Sequence, residues 1–237
     1  MKTDSNIIAF GDSIMKGIVI DNATIDDSVK YCVCKDNFVT KCGNFFGKTI
    51  DNLSRFGSTI IQGLKYFERF KKVVKPGDYV LMEFGGNDSN FDWKAISDDY
   101  SAEHIPMTPI SCFNDTYCSM IDKVRDIEGV PILLTLPPIQ PKWFFEYVSK
   151  GLNANNILKW LSGTVESIAN WHEQYNLEVF KIGIKKKVSV IDITSVFLNK
   201  KNFDLYFCAD GMHPNELGQA LIAETIINEM NYFSLAI

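Results

Sequence analysis

A serine set directly behind a short apolar run is the first residue of this chain with chemistry to offer. Ser13 follows Ile7-Ile8-Ala9-Phe10-Gly11-Asp12. Gly11 lets the chain turn sharply, and a helix starting there would set the Ser13 amide at its positive end, where it can stabilise an oxyanion. A hydroxyl is a weak nucleophile until a base takes its proton. The chain holds three histidines, His104, His172 and His213. His213 lies in Cys208-Ala209-Asp210-Gly211-Met212-His213-Pro214. Within one turn, the spacing from Asp210 lets its carboxylate accept the imidazole Nδ1 proton, leaving Nε2 free to take a proton from a serine. Asn87, in Glu83-Phe84-Gly85-Gly86-Asn87-Asp88, offers a side-chain amide donor. Gly57, in Arg55-Phe56-Gly57-Ser58, offers a backbone N–H that can approach closely. Taken singly, each has a plainer reading: Ser13, Asp210 or His213 as a helix cap, Asn87 and Gly57 as turn residues.

These residues fall where a parallel sheet presents chemistry. Strands are expected at 6–10, 50–53, 79–84, 130–136 and 188–193, each a short apolar run bounded by turn residues. Helices are expected at 36–47, 58–74, 114–128, 153–185 and 214–230, the fourth broken near Gly163 and the last with Pro214 in its first turn. Strands alternating with helices indicate βαβ units and a parallel sheet covered on both faces. Ligands in such sheets bind beyond the carboxyl ends of the strands, which selects the loops starting at Gly11, Gly85 and Pro137. With no internal repeat or linker, residues 1–237 read as a single domain.

Composition narrows the classes further. The 237 residues carry 24 Lys plus Arg against 29 Asp plus Glu, a formal charge of −5. No net positive field draws polyphosphate, so nucleic acid is not an expected partner. Only the four apolar residues 7–10 follow the polar start, short of the roughly 7–15 a secretory signal uses. No apolar run approaches the ~20 residues that span a bilayer. A soluble, cytoplasmic protein is expected. The six cysteines include no CxxC pair and are expected as free thiols, with Cys32 and Cys34 on one face if their segment is a strand.

Three familiar motifs fail on spacing. Gly43-Asn44-Phe45-Phe46-Gly47-Lys48-Thr49 lacks one residue between the glycines of a phosphate loop. His172-Glu173-Gln174-Tyr175-Asn176 ends in Asn where a zinc protease needs its second His. Gly11-Asp12-Ser13-Ile14-Met15 ends in Met where the nucleophile elbow has Gly.

Four ordered blocks remain: GDS at 11–13, the Gly57 loop, GGND at 85–88 and DGMHP at 210–214. Together they resemble the SGNH (GDSL) hydrolase family over about residues 6–230, with Ile14 standing where the family usually has Leu. The resemblance implies a flavodoxin-like three-layer α/β/α sandwich with a five-stranded parallel sheet, acting on esters. It implies Ser13 as nucleophile, His213 as base and Asp210 as the residue that orients it. The Ser13 amide, the Gly57 amide and the Asn87 side chain would hold the oxyanion. No metal or organic cofactor is implied.

The family spans lipases, thioesterases, lysophospholipases and carbohydrate acetylesterases, so the substrate must be read from the loops. Asp88, Phe91 and Trp93 follow Asn87, and Trp143 and Phe144 follow Pro138. Rings interleaved with carboxylates and amides suit a short acyl group, such as acetyl, on a small-molecule or oligosaccharide carrier. These five residues are therefore the candidate substrate-binding set, with anchoring of the loops as their plainer role. A lipid acyl hydrolase and an O-acyltransferase using the same residues are the alternatives. A non-catalytic binding module is disfavoured by the intact Ser13, Asp210 and His213. His104 is expected on a surface loop, and His172 in a structural or exposed place.

Overall fold

The computed structural model describes residues 5–21 and 30–235. β1 (Ile7–Gly11) is apolar without alternation and buried at every residue, as a parallel strand covered on both faces requires. α1 (Ser13–Lys16) is a single turn that begins at once. β2 (Ile18–Ile20) and β3 (Tyr31–Val33) pair antiparallel as a small separate ribbon. There follow α2 (Phe38–Phe46), β4 (Ile50–Asn52), α3 (Ile60–Phe70), β5 (Tyr79–Glu83), α4 (Trp93–Asp98) and α5 (Ile110–Asp126). The rest comprises β6 (Val130–Leu134), α6 (Pro141–Val148), α7 (Ala154–Trp160), α8 (Glu166–Lys186), β7 (Ser189–Ile191), α9 (Ser195–Leu198) and α10 (Glu216–Leu235).

The main sheet runs β4-β1-β5-β6-β7, all parallel. The chain leaves β1 to one side for β4, then crosses to β5 on the other. The carboxyl ends of β1 and β5 therefore flank a topological switch point, where a crevice opens. The side-chain period of two divides the core. Ile8 and Phe10 of β1 face α3, α5 and α8, whereas Ile7 and Ala9 face α2, α9 and α10. This is the three-layer sandwich expected, with five parallel strands.

One local expectation is corrected. Pro214 does not open the last helix; it bridges to Phe207, and Asn215 caps α10 by accepting from the Leu217 and Gly218 amides at 2.9 and 3.2 Å. The break expected near Gly163 is present: the stretch 153–185 is divided into α7 and α8 around that glycine, which has φ +84°. Cys32 lies in β3 and is exposed, whereas Cys34, just past the strand, is buried with Val19 and Cys208. All six thiols are free. The ribbon was not anticipated, because three-residue strands are too short to show alternation. Among the described residues, no helix is long and apolar enough to cross a membrane.

Candidate active site

The end of β1 approaches the backbone of β5 so closely that only glycine fits. A Cβ at Gly11 would sit 2.7 Å from the Glu83 carbonyl oxygen and 2.4 Å from the Met15 Cβ. Asp12 then caps α1, its Oδ1 accepting from the Ile14 amide at 2.8 Å. Ser13, the first residue of that turn, is 4% exposed.

His213 reaches Ser13 from the other end of the chain. Its Nε2 lies 2.9 Å from Ser13 Oγ, and its Nδ1 lies 2.7 Å from Asp210 Oδ2. An ionised carboxylate only accepts, so Nδ1 carries the proton and Nε2 presents its lone pair to the serine hydroxyl. Burial alone would raise the Asp210 carboxyl, but hydrogen bonds from the His213 ring and from the His213 and Met212 amides hold it below the usual range. The loop carrying both residues is closed by the Cys208 amide donating to the His213 carbonyl at 2.8 Å. Ser13, His213 and Asp210, named from sequence spacing, thus stand in one hydrogen-bonded line.

Gly57 and Asn87 approach from the neighbouring strand ends. Gly57 follows β4 with φ +70°, a conformation that side chains resist. Among the described residues, neither the Ser13 nor the Gly57 amide donates to a protein acceptor. Asn87 Nδ2 donates to Asp12 Oδ2 at 2.9 Å and, more weakly, to the Ser58 carbonyl at 3.3 Å. Two free amides and a carboxamide held by a buried acid can receive a developing negative charge.

Sequence reasoning missed four residues around this line. Glu83 ends β5, fully buried, and its carboxyl meets that of Asp12. Burial and then the neighbouring charge push Glu83 well above the carboxylate range, and burial raises Asp12 less far. Asp12, with the Ile14 and Asn87 donors, carries the charge, and Glu83 keeps its proton. An acid inside an apolar strand was the available signal. Tyr31, from the ribbon, donates its hydroxyl to Asp210 Oδ2 at 3.0 Å. Its ring lies 5.1 Å from the imidazole, and Phe56 stacks on the same imidazole at 6.0 Å and 13°. Neither ring carried a local signal, because each reaches His213 only through the tertiary fold.

The candidate substrate-binding residues lie elsewhere than expected. Phe91, Trp93 and Phe144 are buried in a satellite core with Ile96, Ile157 and Ile168, where α4, α6 and α7 meet the start of α8. They pack against one another and the surrounding helices. Trp143 is half-buried against the α2 and α10 layer, beside Gly211. Asp88 is fully buried, its two oxygens accepting from the Ile60 amide at 3.0 and 3.1 Å, and it anchors α3. Burial pushes its carboxyl up to about 7. His104 is half-buried, its Nε2 2.7 Å from the Asp99 carbonyl.

His172 is buried at the edge of the same satellite core. Its Nε2 donates to the Pro137 carbonyl at 2.9 Å, with Ser89 Oγ at 3.4 Å from Nδ1. Burial lowers its pKa from 6.5 to about 4, against the opposing pull of that carbonyl. A group depressed on folding contributes stability above its unfolded pKa and loses it as pH falls through the folded value. Between pH 7 and 4, His172 is therefore expected to withdraw roughly 3 kcal/mol of stability. Urea unfolding of wild type and His172→Gln at both ends of that window tests this. The stability gap between the two proteins should narrow by about that amount on acidification; a gap independent of pH would contradict it. Asp88 titrates in both proteins and cancels.

Comparison with known proteins agrees with this architecture. The model of the GDSL-like lipase/acylhydrolase family matches residues 9–221. The esterase YxiM of Bacillus subtilis (strain 168), named as uncharacterized, is 23% identical over 183 residues, covering 76% of this chain. The chain spans only 41% of that relative's length. A lipase/acylhydrolase from Enterococcus faecalis superposes with a TM-score of 0.65 at 18% identity, covering 95% of each chain. A catalytic mutant of an acetylxylan esterase from Geobacillus stearothermophilus superposes with a TM-score of 0.66 at 15% identity, covering 97% of this chain and 95% of the other. At such identities these structures establish the shared fold.

Proposed function

Because the chain belongs to the GDSL-like lipase/acylhydrolase family, we propose that it is a serine esterase removing a short acyl group, acetyl above all, from a carbohydrate or other polar carrier. The observation that carries this is the Ser13–His213–Asp210 line, closed over by Tyr31 and Phe56. Ser13 Oγ attacks the ester carbonyl as its proton passes to His213 Nε2. The Ser13 and Gly57 amides and Asn87 Nδ2 hold the tetrahedral oxyanion. Collapse breaks the bond to the carrier alkoxide, which takes the proton from Nε2 and leaves. Water then attacks the acyl-enzyme, giving its proton to Nε2, and the second collapse returns that proton to Ser13 and frees the carboxylic acid. Asp210 stays ionised throughout and stabilises the imidazolium.

The enclosure of Ser13 supports the short acyl group. Ser13 is 4% exposed, and its neighbour Asp12 is met by Asn87 Nδ2 and lies beside Gly86, so polar and backbone groups gather next to the serine. A long alkyl chain would desolvate these at about 1–3 kcal/mol per unpaired group, against about 0.8 kcal/mol gained per buried CH₂. The fold neighbours include both a lipase/acylhydrolase and an acetylxylan esterase, so the choice rests on the cleft. On p-nitrophenyl esters, kcat/KM is expected to fall from acetate to octanoate. A profile rising through octanoate would favour a lysophospholipase or thioesterase-type activity and remove the acetylesterase reading.

A further inference from the structure

A groove of about 460 Å³ opens beside the Gly57 loop, lined by Arg55, Phe56, Gln62, Lys65, Tyr66 and Arg69 among others. Gln62, Lys65 and Arg69 fall at i, i+3 and i+7 of α3, so they form one exposed stripe. At about 1.5 Å per residue, the stripe runs on for roughly 10 Å from Gln62. Arg55 joins it from the loop, its guanidinium 3.7 Å from the centre of the Tyr66 ring. Stacking in this way fixes the guanidinium plane and leaves its N–H edge free for a planar anion.

These cations face no protein carboxylate among the described residues. The acid of α3, Glu68, pairs with Lys71 at 2.7 Å and Lys123 at 2.5 Å and does not line the groove. The concentration of positive charge is local, since the chain as a whole carries −5. Phe56 belongs both to the groove and to the cover over His213, being 53% exposed while its ring stacks on the imidazole. An apolar ring suits the face of a sugar, and the cations beyond it suit a carboxylate.

We propose that this groove is a carrier subsite for an acidic oligosaccharide, with Arg55, Lys65 and Arg69 receiving uronate carboxylates while the ester lies at Ser13. The proposal rests on the esterase reading and names its substrate class. Its test measures binding alone. Trigalacturonate, neutral xylotriose and inorganic phosphate are titrated into the full chain by calorimetry at low and high salt. The same titrations use the exposed double variant Lys65→Glu/Arg69→Glu.

Trigalacturonate is expected to bind about tenfold more tightly than xylotriose at low salt, the sum of a few exposed charge contacts. That preference should shrink with salt and vanish in the double variant. Equal affinity for the two trisaccharides, or a preference the double variant keeps, would overturn the proposal. Phosphate binding as tightly as trigalacturonate would overturn the sugar assignment in favour of a phosphorylated carrier. Hydrolysis of p-nitrophenyl acetate is scored separately, so failure of the groove and failure of the esterase reading give different results.

Discussion

Ser13→Ala is expected to lower kcat on a short ester by roughly 10⁴–10⁶-fold. The substitution removes one atom, the Oγ that lies 2.9 Å from His213 Nε2. Without it no acyl-enzyme forms, and the base and oxyanion donors are left to assist water alone. The fold should be retained, because Asp12 makes the cap of α1 and Asp210 anchors His213 independently of that oxygen. Circular dichroism and the melting temperature check the fold while turnover is measured. Near-normal turnover by this variant would show that Ser13 is not the nucleophile.

Asn87→Ala is expected to lower kcat by about 10²–10³-fold with little change in KM. The hydrogen bond to Asp12 Oδ2 at 2.9 Å fixes the carboxamide, and the longer one to the Ser58 carbonyl at 3.3 Å is the one an oxyanion would replace. A full negative charge competes for that N–H far better than the neutral ester carbonyl does. The contact therefore strengthens as the reaction proceeds, which is what lowers kcat when it is lost. Raised KM with unchanged kcat would instead assign Asn87 to substrate binding.

These two predictions rest on residues whose positions were legible early, and the reason is local. Ser13 and Asn87 sit in the turns that end β1 and β5, runs of apolar residues that can only be buried strands. Asp210 and His213 lie in one short turn before α10, so the distance between them is set by the chain itself. Glycines at 11 and 57 marked the points of close approach and left-handed backbone.

What was not legible depends on segments that meet only in the folded chain. Tyr31 reaches Asp210 from a ribbon too short to show a pattern. Phe91 and Trp93 alternate with polar residues, and Phe144 sits in a dense aromatic run, patterns that fit a cleft wall or a satellite core equally well. Helices α4, α6 and α7 close over them and decide for the core. Asp88 looks like a free polar group beside Asn87 until α3 brings the Ile60 amide onto it. Turn geometry around a nucleophile is encoded locally, whereas the walls of its cleft are assembled from distant parts of the chain.

The most direct test of the covalent mechanism is to trap the acyl-enzyme. The protein is mixed with p-nitrophenyl acetate, quenched in acid during the burst, digested and analysed by mass spectrometry. The expected result is one added acetyl group on the peptide bearing Ser13, absent from the Ser13→Ala protein treated in the same way. An acetyl group on another residue that turns over at the catalytic rate would contradict the account.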